Sequence, residues 1–578
     1  MTLKSAPAVQ NTDIADKFNQ LADLLEIEEA NRFRVRAYRR AAMTIAELPA
    51  SIGDMIAAGS DLTELPGIGD DLAGKIRELV ETGELKLLKE VEARTPSTLA
   101  TLTAIPGLGP KRVHALHEKL GVNTLEQLAA SAAAGKVREL PRFSSALEAK
   151  ILTEAKRRVQ MRRRYGLAAA EEFAESLLTW LRRAPELGEA VLAGSYRRRR
   201  ETVGDLDILA TGADPRGTIE HFAGYESVRT VVAKGPARST VILGNGLQVD
   251  LRMIPEESFG AALVYFTGSK AHNIAIRRRA QTRGLKVSEY GVFRDATRIA
   301  GRTEPEVYRA LGLDYIEPEL REDRGEVEAA EQGRLPVLLT FRDVKGDLHA
   351  HTSASDGKNS LKEMALAAQA MGLEYLAITD HTRHATVAHG LDAQRLSAQM
   401  DEIDRLNETF EGFQLLKSSE VDILADGRLD MPDNVLKRLD VVVCAVHYQF
   451  GLDRDAQTAR IIRAMDNRHC HIIAHPTGRL IGELEGYAVD LDRLIEAARE
   501  RGCFPELNAH PSRLDLDDVH CHAAKSQGAK IALGTDAHST YGLANLRFGV
   551  DQARRGWLEA ADVLNTRSWS ELKPLLNR

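Results

Sequence analysis

Apolar residues recur at three- and four-residue intervals through 16–25 and 36–48, the spacing of one buried helical face. The same texture continues in short pieces from residue 12 to about 155 and predicts a region of short helices. From about 165 to 320 the pattern changes, and helices alternate with brief β-rich runs such as Val191-Leu192-Ala193 and the one from Asp207 to Ala210. A third texture follows, in which short apolar runs, Tyr375-Leu376-Ala377-Ile378 and Val441-Val442-Val443 among them, lead into polar residues rich in histidine. Ligands gathered from many strand ends onto one face predict a βα barrel. Between the second and third textures, Arg321 to Leu335 is charge-rich, contains Gly325 and Gly333 and ends at Pro336, which reads as an interdomain linker.

At 578 residues the chain exceeds the size at which single cores stop growing. Its 43% hydrophobic and 28% charged residues describe globular domains rather than disorder. Net charge is −7, so any nucleic-acid contact must rest on local positive runs, of which Lys156-Arg157-Arg158 with Arg162-Arg163-Arg164 and Arg197 to Arg200 are the densest. Four cysteines without a CxxC pair favour a reducing compartment over a disulfide framework. No apolar run approaches the ~18 residues of a membrane span, and no signal-peptide core opens the chain. The expectation is a cytoplasmic monomer.

The most telling chemistry is Gly194-Ser195-Tyr196-Arg197-Arg198 followed by Gly204-Asp205-Leu206-Asp207. In an extended strand Asp205 and Asp207 share a face, and Asp250 in Gln248-Val249-Asp250-Leu251-Arg252 supplies a third carboxylate. Hard oxygen ligands beside a phosphate-binding turn suit Mg²⁺ or Mn²⁺ bridging to a triphosphate, and so nucleotidyl transfer. This segment resembles the palm of family X DNA polymerases, the group of DNA polymerase beta, and Tyr265-Phe266-Thr267-Gly268-Ser269-Lys270-Ala271-His272-Asn273 resembles their nucleotide-binding segment. The resemblance implies that Asp205, Asp207 and Asp250 hold two metals. It implies that Ser195, Arg198 and Gly204 take the β and γ phosphates of a deoxynucleoside triphosphate. Tyr265, Phe266, Gly268 and Asn273 would meet sugar and base, and Arg277 the template strand. Arg199, Gln248 and Lys270 depart from the beta pattern; Lys270, in place of an acidic residue, would face the nucleotide's phosphates.

Two Pro-Gly-x-Gly turns, in Leu65-Pro66-Gly67-Ile68-Gly69 and Ile105-Pro106-Gly107-Leu108-Gly109, resemble helix-hairpin-helix motifs. Gly67, Gly69, Gly107 and Gly109 would expose backbone N–H groups at a helix start to a DNA phosphate without reading sequence. A third place, Leu140-Pro141-Arg142-Phe143-Ser144, keeps the frame but lacks both glycines and reads as structural or as a weakened copy. Lys75 aligns with the Schiff-base lysine of the beta enzyme's deoxyribose-phosphate lyase, although Asp71 replaces a neighbouring lysine of that pattern.

Thirteen of the 17 histidines lie after Asp347. His349 and His351, two apart at a strand end, can point at one metal. Asp356, His381, Glu420, His447, His475, Asp536 and His538 follow in clusters. This set resembles the PHP (polymerase and histidinol phosphatase) family, a distorted (βα)₇ barrel with a trinuclear site. The resemblance implies one metal on His349, His351, Glu420 and Asp536, a second on Glu420, His447 and His475, and a third on Asp356, His381 and His538. Such mixed ligands suit Zn²⁺, Mn²⁺ or Fe²⁺. His510 reads as a residue behind the ligands.

The reading is a multidomain α/β and α+β protein. A helical domain with a helix-hairpin-helix spans 1–95, a fingers-like helical domain with another 96–160, and a nucleotidyltransferase palm 161–255. A thumb spans 256–320, a linker 321–342 and a PHP barrel 343–578. The expected function is filling of short gaps in gapped or nicked duplex DNA, with 3′→5′ exonuclease action by the barrel. Alternatives are a structural, small-molecule phosphatase or pyrophosphatase barrel on an active polymerase, or a scaffold at DNA ends.

Overall fold

The computed structural model describes residues 11–577 apart from 29, 48–51, 58, 66, 104, 163 and 385–387. The chain divides into two units, 1–163 and 164–578. Leu48, Pro66 and Arg163 of the motifs above lie outside the described residues.

The first unit is helical. The two periodic stretches lie in Asn11–Ile27 and Arg32–Glu47, and Ile14, Phe18, Leu21 and Leu25 line the buried face that the spacing predicts. Gly67 and Gly107 turn with φ of +78° and +88°, a region that favours glycine. Gly69 and Gly109 cap the helices Asp70–Thr82 and Pro110–Leu120. The third hairpin keeps the same backbone without glycine. Arg142 takes φ +70°, and Ser144 Oγ, standing where the second glycine would, accepts the Leu147 N–H at 3.1 Å.

In the second unit a five-stranded sheet occupies the stretch expected as the palm. Its strands are β1 (Leu187–Leu192), β2 (Asp205–Gly212), β3 (Val228–Lys234), β4 (Arg238–Leu243) and β5 (Gln248–Met253), in the order β1-β2-β5-β4-β3. β2 and β5 are its parallel pair, in a register that sets Asp207 opposite Asp250. The helices Phe259–Thr267 and Lys270–Thr282 and a small antiparallel sheet follow.

Seven parallel strands then form the C-terminal barrel: β6 (Gly346–Ala350), β7 (Tyr375–Ile378), β8 (Gln414–Asp422), β9 (Val441–Ala445), β10 (Ile472–Ile473), β11 (Phe504–Asn508) and β12 (Ala532–Gly534). They pair in sequence order, and a parallel bridge from Ala350 to Ala537 brings the ring near closure. Strand alternation sorts the apolar runs. Tyr375, Ala377, Val441 and Val443 fill the barrel interior, while Leu376, Ile378, Val442 and Cys444 pack outward under the helices. All four cysteines are buried, and none forms a disulfide among the described residues. No helix of the described residues is long and apolar enough to cross a membrane.

The stretch 321–342, expected as a linker, is instead folded into the second unit. Arg321 is fully buried and its Nη1 donates to Glu304 Oε1 at 2.8 Å. Glu326, also fully buried, meets His272 Nδ1 at 2.7 Å, and Val327, Ala330 and Leu338 join the apolar core around the thumb helices. Charge usually marks exposure, and composition misleads here because these charges have buried partners. Arg321→Met is therefore expected to destabilise the second unit by about 2–3 kcal/mol, because Glu304 keeps Arg197 at 2.6 Å but loses its fully buried second guanidinium, against roughly 0.5 for an exposed linker position. Denaturant midpoints of parent and variant decide between them.

Two candidate metal centres

Gly194, at φ +63°, turns the chain so that a Cβ there would lie 2.8 Å from Asp207 Oδ2. The Ala193 N–H donates to the Asp207 carbonyl at 2.7 Å, which pins the short helical turn Gly194–Arg197 against β2. Asp205 is exposed, Asp207 half-buried and Asp250 buried. These three carboxylates differ electrostatically. Burial, then the neighbouring carboxylates of Asp205 and Asp250, push Asp207 up to about 6, and burial followed by Asp250 also raises Asp205. Burial would raise Asp250 too, but hydrogen bonds outweigh it and hold its carboxyl below the usual range. They come from Thr240 Oγ1 at 2.6 Å, Gln248 Nε2 at 2.8 Å and Arg238 Nη2 at 3.1 Å. Sequence reasoning missed Thr240 and Arg238, which lie on β4, and saw Gln248 only as a departure.

The two motif blocks of the palm meet. Arg197 Nη1 donates to Thr267 Oγ1 at 2.8 Å and Arg198 Nη1 to the Thr267 carbonyl at 2.7 Å, so the Gly194 turn is tied to the end of the Tyr265-Phe266 helix. Tyr265 and Phe266 stand edge to face with centroids 5.0 Å apart, and the guanidinium of Arg277 lies over Tyr265 at 5.3 Å. Asn273 Nδ2 donates to the Tyr265 carbonyl at 2.6 Å. A Cβ on Gly268 would sit 3.0 Å from Val264 O and Asn273 Oδ1, so the turn is closely filled. Lys270 is exposed at the start of its helix. In the first unit Lys75 lies beside a 480 Å³ cleft with Arg34 and Lys86, and its Nζ pairs with Asp71.

The nine residues expected to bind metal on the barrel all converge at one end of it. His349 Nε2 and His351 Nε2 stand 3.7 and 3.2 Å from Asp536 Oδ1, and 3.4 and 3.6 Å from Glu420 Oε2. On the other side of Glu420, His475 Nε2 and His447 Nε2 lie 2.9 and 3.3 Å from Oε1. Asp356 Oδ2 is 3.5 Å from His381 Nε2 and 3.4 Å from His538 Nε2. His381 Nδ1 also comes within 3.0 Å of Glu420 Oε2. Burial would raise the Glu420 carboxyl, yet the imidazoles of His381, His447 and His349 outweigh it and hold it well below its ordinary value.

Buried His349 Nε2, His351 Nε2 and His381 Nδ1 have no hydrogen-bond partner among the described residues. Buried polar atoms rarely stay so, and the donor set fits divalent ions closely spaced around Glu420. A supporting layer orients the ligands: Glu506 holds His349 Nδ1 at 2.6 Å and Asp422 holds His447 Nδ1 at 3.0 Å. His510, expected in this layer, turns instead to Ser512 at 2.7 Å, and Asn508 Nδ2 reaches Asp536 Oδ2 at 3.1 Å in its place. The ligands open onto a 430 Å³ cavity rimmed by Arg513, His384 and Tyr448, three residues that carried no sequence signal.

Comparison with known proteins agrees with this anatomy. Family models match residues 9–85 (helix-hairpin-helix domain), 99–157 (SAM-like helix-hairpin-helix tandem), 262–322 (DNA polymerase beta thumb) and 347–510 (PHP domain). The tandem match spans the glycine-free third hairpin. The chain is 38% identical over 570 residues to the DNA polymerase/3′-5′ exonuclease PolX of Bacillus subtilis (strain 168), covering 98% of this chain and 99% of that one. Over 232 residues, 38% of this chain and 89% of the relative, it is 30% identical to a probable phosphatase of Thermoanaerobacter sp. (strain X514). Over 344 residues, 54% of this chain and 56% of the relative, it is 26% identical to DNA polymerase lambda of Rattus norvegicus. With two hairpin regions, a polymerase palm and thumb and a PHP barrel matched end to end by a PolX relative, the chain belongs to the family X DNA polymerases that carry a C-terminal PHP domain.

Proposed function

We propose that the palm fills short gaps in duplex DNA and that the barrel trims 3′ ends by phosphodiester hydrolysis, in DNA repair. The observation that carries this reading is the presence, in one folded unit, of three facing carboxylates on paired strands and nine convergent ligands at a barrel mouth. Asp205, Asp207 and Asp250 would hold Mg²⁺ or Mn²⁺, and the nine barrel ligands three ions of Zn²⁺, Mn²⁺ or Fe²⁺. Bound there, such ions neutralise phosphate charge and, in the barrel, polarise water for hydrolysis.

The chain's own residues do the positioning. Asp250, kept ionised by Thr240, Gln248 and Arg238, faces the primer 3′ oxygen. Ser195, Arg198 and Gly204 take the triphosphate, and Tyr265, Phe266, Gly268, Lys270 and Asn273 frame the nucleotide. Arg277, stacked on Tyr265, lies toward the template. The four hairpin glycines turn N–H groups to DNA phosphates. Positioning and charge complementarity of this kind supply most of phosphoryl transfer catalysis.

On a 5′-labelled gapped duplex with Mn²⁺, Asp205→Ala/Asp207→Ala is expected to abolish extension and keep 3′ shortening. His349→Ala/His351→Ala is expected to do the reverse, each loss being at least about a thousandfold. Hydrolysis of small phosphate esters with DNA left intact would instead assign the barrel to small-molecule chemistry.

Lys75 is assigned the role of Schiff-base nucleophile toward abasic sites, with the Asp71 carboxylate as the group that must release it. Borohydride should trap a DNA adduct that vanishes in Lys75→Ala and increases in Asp71→Asn; absence of any adduct rejects the role.

Protons compete with metal for Asp207. In the His349→Ala/His351→Ala background, palm affinity for Mn²⁺ should hold steady above about pH 7 and weaken up to tenfold per unit below about pH 6, where the carboxyl protonates. A titration of Mn²⁺ binding by electron paramagnetic resonance checks the sign, and a flat profile across this range contradicts it.

A further inference from the structure

The loop Gly194–Arg200 is braced from behind by the barrel. Arg199, which departs from the beta pattern, donates through Nε to Asp551 Oδ2 at 2.7 Å and through Nη2 to Glu171 at 3.0 Å. Its backbone adopts φ +54°, a strained conformation for a long side chain that these bonds hold in place. Asp551 lies on Leu546–Arg555, the barrel helix that follows β12.

One turn further along that helix, Arg555 is almost fully buried. Its Nη1 donates to the Arg198 carbonyl at 2.7 Å and approaches Glu322 at 3.2 Å, while Nη2 holds Asp518 at 2.5 Å. Glu322 is shared, for Arg198 Nε donates to it at 3.0 Å. Phe548 of the same helix and Leu514 of the barrel enter the apolar core of the palm, so the brace has a packed base.

We infer that Asp551 and Arg555 of the barrel are positioning residues for the polymerase reaction, fixing the loop that carries Ser195 and Arg198 in its triphosphate-binding shape. The inference rests on the reading of that loop as the triphosphate cradle. Arg555 acts twice. It anchors the loop backbone at Arg198, and it takes part of the charge of Glu322, which would otherwise draw the Arg198 guanidinium away from phosphate. Neither residue touches the reacting atoms, so the effect belongs in nucleotide binding and not in the chemical step. This gives the barrel a part in synthesis that is separate from its own metal ligands.

The test uses the full chain on a gapped duplex, with KM for the nucleotide and kcat measured separately and 3′ shortening followed in the same preparations. Arg555→Gln and Asp551→Asn should each raise the nucleotide KM about tenfold with kcat within about twofold, the mark of lost binding alone. The 3′ shortening should be unchanged, and Arg555→Lys should recover part of the loss. Arg554→Gln serves as the control for general loosening of this helix, because its hydrogen bonds among the described residues go to Glu319 at 2.7 Å and the Leu339 carbonyl at 3.1 Å rather than to the loop. An unchanged KM in both variants overturns the inference, as does an equal rise in Arg554→Gln. Arg198→Gln separates the two layers. If it is silent, the cradle reading falls and the inference with it; if it raises KM while Arg555→Gln and Asp551→Asn do not, only the brace falls. Should Arg555→Gln fail to fold, Asp551→Asn carries the decision alone.

Discussion

The second unit depends on how its buried carboxylates are neutralised. An unpaired buried charge costs several kcal/mol, so each one dictates where a partner must be. Glu304 is met by Arg197 at 2.6 Å and Arg321 at 2.8 Å; Glu322 is shared by Arg198 and Arg555; Asp518 takes Arg555 and, at 2.9 Å, Arg324. This chain of pairs runs from the loop Gly194–Arg200 through the segment 321–324 to the barrel helix, and it makes one folded unit of regions that differ in chemistry. Where protein partners are insufficient, the shortage itself is functional. Asp207 faces two other carboxylates and is pushed up to about 6, and the Glu420 carboxylate and Asp536 Oδ1 are met by imidazoles among the described residues. Those are the positions a divalent cation would complete.

Much of this was legible in the sequence because it is local. Asp205 and Asp207 share a strand face by the period of two, His349 and His351 by the same rule, and the hairpin glycines mark turns by their own conformational freedom. Apolar runs of three or four residues announced barrel strands, and the ligands followed at their ends.

The unread part is long-range. Arg199 seemed an anomaly because its partner, Asp551, is 352 residues away. The segment 321–335 resembled a linker because composition cannot report that Arg321 and Glu326 are buried with their hydrogen-bond partners. Thr240 and Arg238 were invisible as supports of Asp250 because strand pairing, not sequence proximity, places β4 beside β5. Arg142 shows the converse case: a positive φ persists without glycine when neighbouring contacts, here its carbonyl accepting from Arg112 Nη2 at 3.3 Å, hold the turn.

The central claim is that the unit holds two separate metal centres, one on the palm carboxylates and one on the nine barrel ligands. Anomalous diffraction from crystals of the full chain, loaded with Mn²⁺ and a non-hydrolysable nucleotide, tests it most directly. The account predicts peaks between Asp205, Asp207 and Asp250 and three further peaks around Glu420. Occupied carboxylates with no peak among the histidines would contradict it.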